Sequence, residues 1–378
     1  MKIAIDISQV VYEGTGVANY TNEMVCNLLK IDRENEYLLF GMSLRQKDKL
    51  DSFFENVKSL NNKTQFKLLP IPQTLSNLIW NKFHIVDARN FLGEFDILHS
   101  SDWIQPPTTA RKVTTVHDLV IYKYPQFSHS NIIATQKKRL HWVKRECDAI
   151  IADSVATKND LINILKVDQA KIEVVYPGIG AEFHHQNDEE IIRVKQKYGL
   201  YDNYILSVGT VEPRKNLSSV FAAFTKFLQH SLVASKKTPI GLVVVGKVGW
   251  GEELKPTKSV NLLGQISQRD LPALYSGALF FVYPSFYEGF GLPVLEAMAC
   301  GCPVITSDRG SLKEVASDAA LLVDPGDTDD LTVKMTQLYV DSDLRGELVE
   351  KGKKNAKKFS WQKSAEEIIR IYKKLDTL

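Results

Sequence analysis

The amino-acid sequence predicts two doubly wound, Rossmann-like α/β domains. Its 378 residues exceed the roughly 250–300 at which a single hydrophobic core usually stops growing. Short β-branched segments alternate with helical patterns, which is typical of parallel sheets covered by helices. One Pro- and Gly-rich interruption, PGIG at 177–180, separates two stretches of this alternation. We therefore expect two domains that face each other across a cleft, with ligands at the carboxyl ends of the strands.

Seven strands are predicted before the interruption and six after it. They cover residues 2–7, 36–40, 66–70, 96–99, 112–118, 148–153 and 172–176, then 204–209, 241–246, 260–264, 279–285, 303–307 and 320–324. These limits predict a first domain at residues 1–178 and a second at 183–358. Apolar residues recur near helical spacing over 361–375, but this pattern does not show which domain the last helix contacts.

The composition is that of an ordinary soluble globular protein, with 44% hydrophobic and 24% charged residues. A formal net charge of +2 offers no global attraction for nucleic acid, so we expect no nucleic-acid partner. Asp6 interrupts the N-terminal apolar residues too early for a secretory signal, and the apolar run at 278–283 is far shorter than the about 20 residues of a membrane span. The four cysteines match neither a disulfide framework nor a zinc site, which favours a cytoplasmic location.

Two glutamates lie in the apolar stretch SFYEGFGLPVLEAMACGCPVITSD, at 285–308. Glu288 is predicted in the loop after a strand, and Glu296 about one turn into the helix that begins near Pro293. A carboxylate accepts hydrogen bonds from adjacent hydroxyls, so this pair suits a ligand that carries diols. The alternative is that Glu296 stabilises the dipole of its helix from the first turn.

Two consecutive cations, Arg214 and Lys215, lie in GTVEPRKNL at 209–217, directly after a predicted strand. Asn216 is expected to cap the following helix. Charge-assisted hydrogen bonds from both cations would suit a diphosphate. The alternative is a pair of solvated surface cations.

Two further candidates follow strands of the first domain. Gly14 and Gly16 form a turn that opens a helix, but Asn19 replaces the third glycine of a dinucleotide fingerprint, which leaves a helix N-terminus open to a phosphate or sugar, or a plain tight turn. His117 ends a strand, where it is either structural or a hydrogen-bond partner of a substrate hydroxyl. The aspartates of DTD (327–329) and DSD (341–343) are expected in helix caps and connections, so we expect no metal site.

The motifs together resemble those of retaining glycosyltransferases of family 4, which have the GT-B fold. The resemblance covers essentially the whole chain, and the sequence is most similar to the mannosyltransferases of that family. One departure is Gly180, where many relatives have an aspartate after the linker turn. The segments that carry the resemblance are EGFGLPVLE, GTVEPRKNL, CDAIIADS (147–154), IEVVYPGI (172–179), LLGQIS (262–267) and KKFSWQKSA (357–365).

The resemblance implies a role for each candidate residue. Glu296 would hold the nucleotide ribose, and Glu288 would contact the transferred sugar. Arg214 and Lys215 would neutralise the diphosphate. His117 would lie near the donor sugar, and the final helix, 361–378, would cross back to the first domain. The other expected donor contacts are Gly14, Gly16, Gly209, Ile266, Gly289, Phe290, Gly291 and Leu292.

The resemblance also implies transfer of a hexose from a nucleotide diphosphate sugar to a glycan or lipid-linked glycan acceptor, without a cofactor or metal. Mannose from GDP-mannose is the first expectation, and UDP-glucose and UDP-N-acetylglucosamine stay open as donors. With no second carboxylate placed as a nucleophile, a front-face route is favoured. A nucleotide-sugar 2-epimerase and a non-catalytic nucleotide-sugar-binding protein are the alternatives from other classes.

Basic and aromatic residues of the first domain suggest peripheral membrane contact at the inner face of the membrane. Residues 131–147 contain five Lys or Arg against one acid, and Trp80, Lys82 and Phe83 lie in SNLIWNKFHI at 76–85. The alternative is a solvated basic helix beside aromatic residues of the core.

Overall fold

The structure is a computed structural model that describes residues 1–236, 238–251 and 257–377. Within these residues the chain divides into two compact units. Unit 1 contains Met1–Gly178 and the stretch that begins at Ser360, and unit 2 contains Ile179–Phe359. Each unit is built on one parallel sheet with helical connections, so the prediction of two doubly wound, Rossmann-like α/β units is confirmed.

Unit 1 has a seven-stranded parallel sheet. Its strands are β1 (Lys2–Asp6), β2 (Glu36–Met42), β3 (Thr64–Leu69), β4 (Ile97–Ser100), β5 (Arg111–Val116), β6 (Ala149–Ala152) and β7 (Ile172–Val174). They lie in the order β3-β2-β1-β4-β5-β6-β7, so the chain runs outward from β1 in one direction and then in the other. This reversal beside β1 is the switch point at which sheets of this kind bind ligands.

Eight α-helices and one π-helical segment, Asn77–Phe83, are described in unit 1. The helices are α1 (Gly16–Ile31), α2 (Lys47–Val57), α3 (Gln73–Ser76), α4 (Arg89–Leu92), α5 (Val120–Lys123), α6 (Ser130–Glu146), α7 (Val155–Asn163) and α16 (Trp361–Asp376).

Strand β1 shows why helices cover both faces of this sheet. Alternate residues of a strand point to opposite faces. Ile3 and Ile5 pack in one hydrophobic cluster with α1 and α16, whereas Ala4 packs in a separate cluster with Trp80. A strand that is apolar on both faces is stable only when a layer of helices covers each face of the sheet.

Unit 2 repeats this plan with six strands. They are β8 (Asn203–Val208), β9 (Ile240–Val245), β10 (Val260–Gly264), β11 (Phe280–Tyr283), β12 (Val304–Ser307) and β13 (Leu321–Val323), in the order β10-β9-β8-β11-β12-β13. Its described helices are α8 (Asp188–Tyr198), α9 (Leu217–Gln229), α10 (Ser231–Ala234), α11 (Leu271–Gly277), α12 (Leu292–Ala299), α13 (Gly310–Ala316), α14 (Thr328–Val340) and α15 (Ser342–Ala356). Every predicted strand is present, with ends that differ by at most two residues.

The last helix, α16, packs inside unit 1. Its Trp361 ring meets the ring of Tyr20 edge-on at 5.4 Å, and the Ser364 hydroxyl donates to the Tyr176 carbonyl at 2.5 Å. The Tyr372 hydroxyl lies 2.6 Å from Nδ1 of His99. Burial lowers the pKa of His99 to about 3, so this bond joins a neutral imidazole to the tyrosine hydroxyl.

In the part of the chain that is described, no helix has the length and apolar character needed to cross a membrane.

We predict that Gly178→Ala destabilises unit 1, because a Cβ at this position would lie 2.0 Å from the backbone nitrogen of Trp361. Forced overpacking typically costs about 1–3 kcal/mol. Urea unfolding followed by tryptophan fluorescence measures the loss. Gly346→Ala is the matched control, because a Cβ there meets nothing within 4 Å in an exposed helical turn, and its stability should stay equal or rise. Equal stability of Gly178→Ala and the wild type would contradict this account of the packing.

Candidate functional site

The carboxyl ends of β8 and β11, which are neighbours in the sheet of unit 2, bring two predicted motifs together. The segment 209–217 follows β8 and contains the two cations, and the segment 284–291 follows β11 and contains Glu288. The backbone N–H of Phe286 donates to the carbonyl of Arg214 at 2.9 Å, which joins the two loops directly. Residues as far apart in the chain as Arg214 and Glu288, 74 positions, therefore form one local site.

Glu288 is the centre of this site. Its side chain is buried, and each carboxylate oxygen pairs with a different cation: Oε2 lies 2.6 Å from Nη1 of Arg214, and Oε1 lies 2.8 Å from Nζ of Lys215. The hydroxyl of Tyr283 also donates to Oε1, at 3.0 Å. Burial by itself would raise the pKa of Glu288, but Arg214 and Lys215 lower it to about 2. The carboxylate is therefore ionised at every physiological pH.

The two cations are held from several sides. The guanidinium of Arg214 also pairs with Glu212, at 2.6 Å, and donates to the Tyr287 carbonyl at 3.0 Å. Lys215 donates to the Tyr283 hydroxyl at 2.5 Å, so two of its three N–H donors have partners in the described chain. Burial and the nearby Arg214 lower the pKa of Lys215. These contacts fix both cations in place.

The backbone conformation beside Lys215 favours glycine. Gly209 has φ of 149°, which L side chains rarely adopt, and a Cβ there would be in ordinary contact with Cε of Lys215, at 3.5 Å. The lysine stem therefore lies over the glycine backbone, with its ammonium group near Tyr283 and Glu288.

The expectation that Asn216 caps the following helix is wrong. Asn216 is left-handed, with φ of 57°, and its side chain makes no cap hydrogen bond. Its amide instead donates to the carbonyls of Pro284, at 3.2 Å, and Pro325, at 2.6 Å. A short polar side chain tolerates this conformation, and here it joins the loops that follow β11 and β13.

Glu296 has a different environment from Glu288. It is the fifth residue of α12, which has no acidic residue in its first turn, so a first-turn dipole role is not supported. The Tyr275 hydroxyl donates to its Oε2 at 3.0 Å. Burial raises the pKa of Glu296 to about 7, against the effect of that hydrogen bond, and the nearby Glu182 adds to the rise. The two glutamates thus differ in charge state near neutral pH.

The residues between the two glutamates form the approach to α12. Gly291 has φ of 114°, a backbone conformation that favours glycine, and Leu292 is the first residue of the helix. Phe290 is buried with its ring edge-on to Phe359 at 5.7 Å, so only its backbone could meet a ligand. The carbonyl of Glu288 accepts from the Ser311 hydroxyl at 2.7 Å, which fixes the loop upstream of Gly289.

Ile266 lies outside this cluster, half-buried in the loop after β10 at the edge of the sheet. Its side chain is apolar, so any contact with a polar ligand would come from its backbone.

Unit 1 contains the remaining candidates. Helix α1 begins at Gly16 and is capped by Thr15, whose side chain accepts from the Ala18 N–H at 3.3 Å. Gly14 has φ of 76°, and a Cβ on Gly16 would meet nothing within 4 Å. The turn is therefore open in front of the helix N-terminus.

His117 follows β5 and pairs with a residue that the sequence reasoning missed. Its Nδ1 lies 2.6 Å from Oδ2 of Asp153, which follows β6, and its ring meets that of Tyr20 at 4.7 Å. Burial disfavours the charged imidazole, but Asp153 outweighs it and raises the pKa of His117 to about 9. The position of Asp153 after the neighbouring strand was the available signal. Glu212, Tyr275 and Tyr283 were also missed.

No cluster of metal-ligating side chains is present in the described residues. Asp327 accepts from the N–H groups of Asp329 and Asp330 at the start of α14, and Asp341 accepts from Leu344 at the start of α15. Asp327 caps a helix, as the sequence predicted, and Asp341, predicted in a helix connection, lies between α14 and α15 and caps the second of them.

Comparison with known proteins assigns both halves of the chain. A family model described as Glycosyltransferase Family 4 matches residues 15–183, and one described as Glycosyl transferases group 1 matches residues 188–359. The chain is 29% identical to O-antigen chain mannosyltransferase B of Escherichia coli, with 99% of this chain and 100% of that protein covered. It is 31% identical to O-antigen chain mannosyltransferase RfbU of Salmonella typhimurium over 58% of this chain and 59% of that protein.

Among solved structures, the chain is similar to a sucrose-phosphate synthase from Thermosynechococcus elongatus. The TM-score is 0.75 at 20% identity, with 100% of this chain and 99% of that chain covered, which shows a shared fold. The two family models meet near the division between the two units, and each lies on one of the two sheets. The chain therefore belongs to the family 4 and group 1 glycosyltransferases.

Proposed function

We propose that this glycosyltransferase moves mannose from GDP-mannose to a hydroxyl of a glycan or lipid-linked glycan, with retention at the anomeric carbon. The observation that carries the proposal is the buried cluster of Glu288, Arg214 and Lys215 at the ends of β8 and β11. The choice of mannose rests on the relatives, two of which are named O-antigen chain mannosyltransferases.

The cations of unit 2 suit the diphosphate of the donor. Charge-assisted hydrogen bonds are worth about 1.5–3 kcal/mol each, and a buried cation is screened less than an exposed one. The side chains of Arg214 and Lys215 are 18% and 12% exposed, so each can reach a ligand while most of its surface stays out of water. The N-terminus of α12 adds N–H groups and a partial positive charge.

The remaining donor contacts follow from the polarity of each group. Glu296 would accept hydrogen bonds from the ribose hydroxyls, and Glu288 from the transferred sugar. Backbone groups of Gly289–Leu292 and of Gly209 would meet sugar or phosphate, and the backbone of Ile266 would meet the base. In unit 1, Gly14, Gly16 and His117 are proposed as donor contacts on the resemblance.

The proposed reaction needs no metal. The bond between the anomeric carbon and the phosphate oxygen breaks, and a bond from that carbon to the acceptor oxygen forms on the same face. The acceptor's proton passes to the departing phosphate. Negative charge grows on the leaving diphosphate, so preorganised cations lower the barrier. Electrostatic stabilisation of this kind is commonly the largest single contribution to catalysis.

Other functions find less support. A UDP-glucose or UDP-N-acetylglucosamine transferase would use the same cations. GDP-mannose is preferred as the donor because the two relatives reported above are named mannosyltransferases. A 2-epimerase or a protein that only binds the nucleotide sugar has no feature here in its favour.

Unit 1 is proposed to receive the acceptor, and its surface suggests contact with a membrane. Part of the expected surface is absent, because Trp80 and Arg139 are both buried, each 1% exposed. Arg139 instead donates to the Thr115 carbonyl at 2.9 Å. The interfacial patch is therefore defined by exposed apolar residues beside the cations of α6: Leu75, Leu78, Phe83, Ile85, Val86, Lys137, Lys138, Lys144 and Arg145.

Lys215→Ala should reduce turnover by about 10²–10³-fold, which is the effect of removing one preorganised donor to a developing oxyanion. Nucleotide release in the presence of acceptor measures it. Lys226→Ala is the matched control, since Lys226 is an exposed cation of α9 that pairs with Asp329. Circular dichroism should show the same fold for both variants. Near-normal turnover of Lys215→Ala would contradict the role of the cation.

The affinity for GDP-mannose should rise with pH through about 7, the pKa of Glu296, because the ionised carboxylate accepts hydrogen bonds better than the neutral acid. Burial raises the pKa of Glu296 in the folded protein above its ordinary value of about 4.3. The folded protein therefore loses stability as the pH rises from about 4.3 to 7 and this group ionises. Hydrogen bonds from the ribose hydroxyls would offset that loss.

Calorimetric titration with GDP-mannose between pH 5.5 and 8.5 tests this dependence. Glu296→Gln should bind more weakly at pH 8 and lose most of the slope. Glu288, with a pKa of about 2, is ionised throughout this range and contributes no slope. Wild-type affinity that does not change with pH would contradict the assignment of Glu296 to the ribose.

The wild-type protein should co-sediment with vesicles that contain anionic phospholipid at low salt, and less so at high salt, because salt screens its cations. Phe83→Glu should weaken binding, since Phe83 is 56% exposed in the interfacial patch. Val333→Glu, at a position 62% exposed in unit 2, is the matched control and should bind like the wild type. Failure of the wild type to bind at low salt would rule out the membrane contact.

A further inference from the structure

A cavity of about 530 Å³ lies within unit 1, and its lining includes none of the candidates that the sequence suggested there. Its walls come from the carboxyl ends of the first four strands in the chain. They lie within residues 8–12 after β1, 42–46 at and after the end of β2, 72–76 after β3, and 101–104 after β4. Pockets that bind small ligands commonly measure about 300–1,000 Å³ and occur at this edge of parallel sheets. The volume and the place are therefore those of a binding site.

The lining mixes polar and apolar groups and is almost uncharged. Uncharged polar side chains account for about half of it, among them Ser8, Gln9, Ser43, Gln46 and Gln73. Two aromatic residues, Tyr12 and Trp103, also line it. Among the described residues that line the cavity, Arg45 is the single charged one, and it is exposed at the rim.

Hydrogen bonds hold the walls in position before any ligand binds. The Tyr12 hydroxyl donates to Oε1 of Gln73 at 2.8 Å, which connects the segment after β1 to the segment after β3. The Ser8 hydroxyl accepts from the Met42 N–H at 2.9 Å, which connects the segment after β1 to the end of β2. The cavity is therefore largely preformed.

Trp103 is fixed through its backbone. The side-chain amide of Asn81 donates to the Trp103 carbonyl at 2.8 Å, and that of Gln136 donates to the neighbouring Asp102 carbonyl at 2.6 Å. The indole itself is half-buried and lines the cavity. A held aromatic side chain contributes contact area at a low cost in conformational entropy.

This combination selects one class of ligand. A phosphate or carboxylate ligand would need more than one rim cation to balance its lost hydration. A lipid chain would leave the amides and hydroxyls without partners, which costs free energy for each. A neutral saccharide satisfies both parts of the lining, because its hydroxyls pair with amides that both donate and accept, and its C–H faces pack on aromatic rings.

We propose that this cavity binds the terminal sugars of a neutral glycan acceptor, with Trp103 and Tyr12 as packing surfaces and Gln9, Gln46 and Gln73 as hydrogen-bond partners. This inference rests on the proposed function, which it extends by naming the acceptor subsite and its chemistry. An acceptor recognised in this way is a glycan chain that carries no charge on its last residues.

Saturation-transfer NMR with a linear α-linked mannotriose tests binding directly. Gln73→Ala removes an exposed amide and the acceptor of the Tyr12 hydrogen bond, and Trp103→Ala removes the indole. Each should weaken binding by about tenfold, the effect of losing a well-packed contact. Trp250→Phe, in unit 2 and outside the lining of the cavity, is the control and should bind like the wild type. If Trp103→Ala unfolds, Gln73→Ala carries the test.

Kinetics with the same saccharide as acceptor separate this inference from the proposed function. In Gln73→Ala the KM for mannotriose should rise about tenfold, while the affinity for GDP-mannose by calorimetry stays unchanged. Unchanged acceptor KM and mannotriose affinity in both cavity variants would overturn the inference, as would a wild type that binds no mannotriose. Binding of mannotriose at the cavity without transfer from any nucleotide sugar would instead overturn the proposed function.

Discussion

The buried carboxylate of Glu288 between Arg214 and Lys215 is the interaction on which the site of unit 2 depends. A carboxylate moved into the protein interior costs several kcal/mol unless it is paired and hydrogen-bonded, and here both oxygens have cationic partners. Removal of one partner would leave a buried charge with half its compensation. The cluster therefore holds the loops after β8 and β11 together, and it also keeps two cations in fixed positions.

In the proposed mechanism the two glutamates accept hydrogen bonds from the donor and do not act as an acid and base pair. Arg214 and Lys215 keep Glu288 ionised, with a pKa of about 2, whereas burial raises the pKa of Glu296 to about 7. Both carboxylates are suited to accept hydrogen bonds from hydroxyls, Glu288 throughout the physiological pH range and Glu296 above about pH 7. This fits a chemistry in which the phosphate of the donor, and not a side chain, takes the proton.

Much of the fold could be predicted from the sequence, because apolar strands separated by helical patterns have one stable arrangement in parallel sheets. The position of α16 could not, since its pattern is compatible with either unit and only its contacts with Tyr20 and Tyr176 decide. In the site, Glu288, Arg214 and Lys215 could be predicted because they follow the ends of predicted strands. Their mutual pairing was not predictable, because it depends on how two loops far apart in the chain meet. The cap assigned to Asn216 failed for a similar reason: its side chain bonds distant loops.

The most direct test of the account is product analysis after incubation with GDP-mannose and mannotriose. NMR of the purified product identifies the new linkage and the configuration at its anomeric carbon. The account predicts an acceptor longer by one α-linked mannose for each GDP released, since the donor is itself α-linked. A β-linked product or an epimerised donor would contradict it, as would GDP-mannose that stays intact when the protein is folded by circular dichroism.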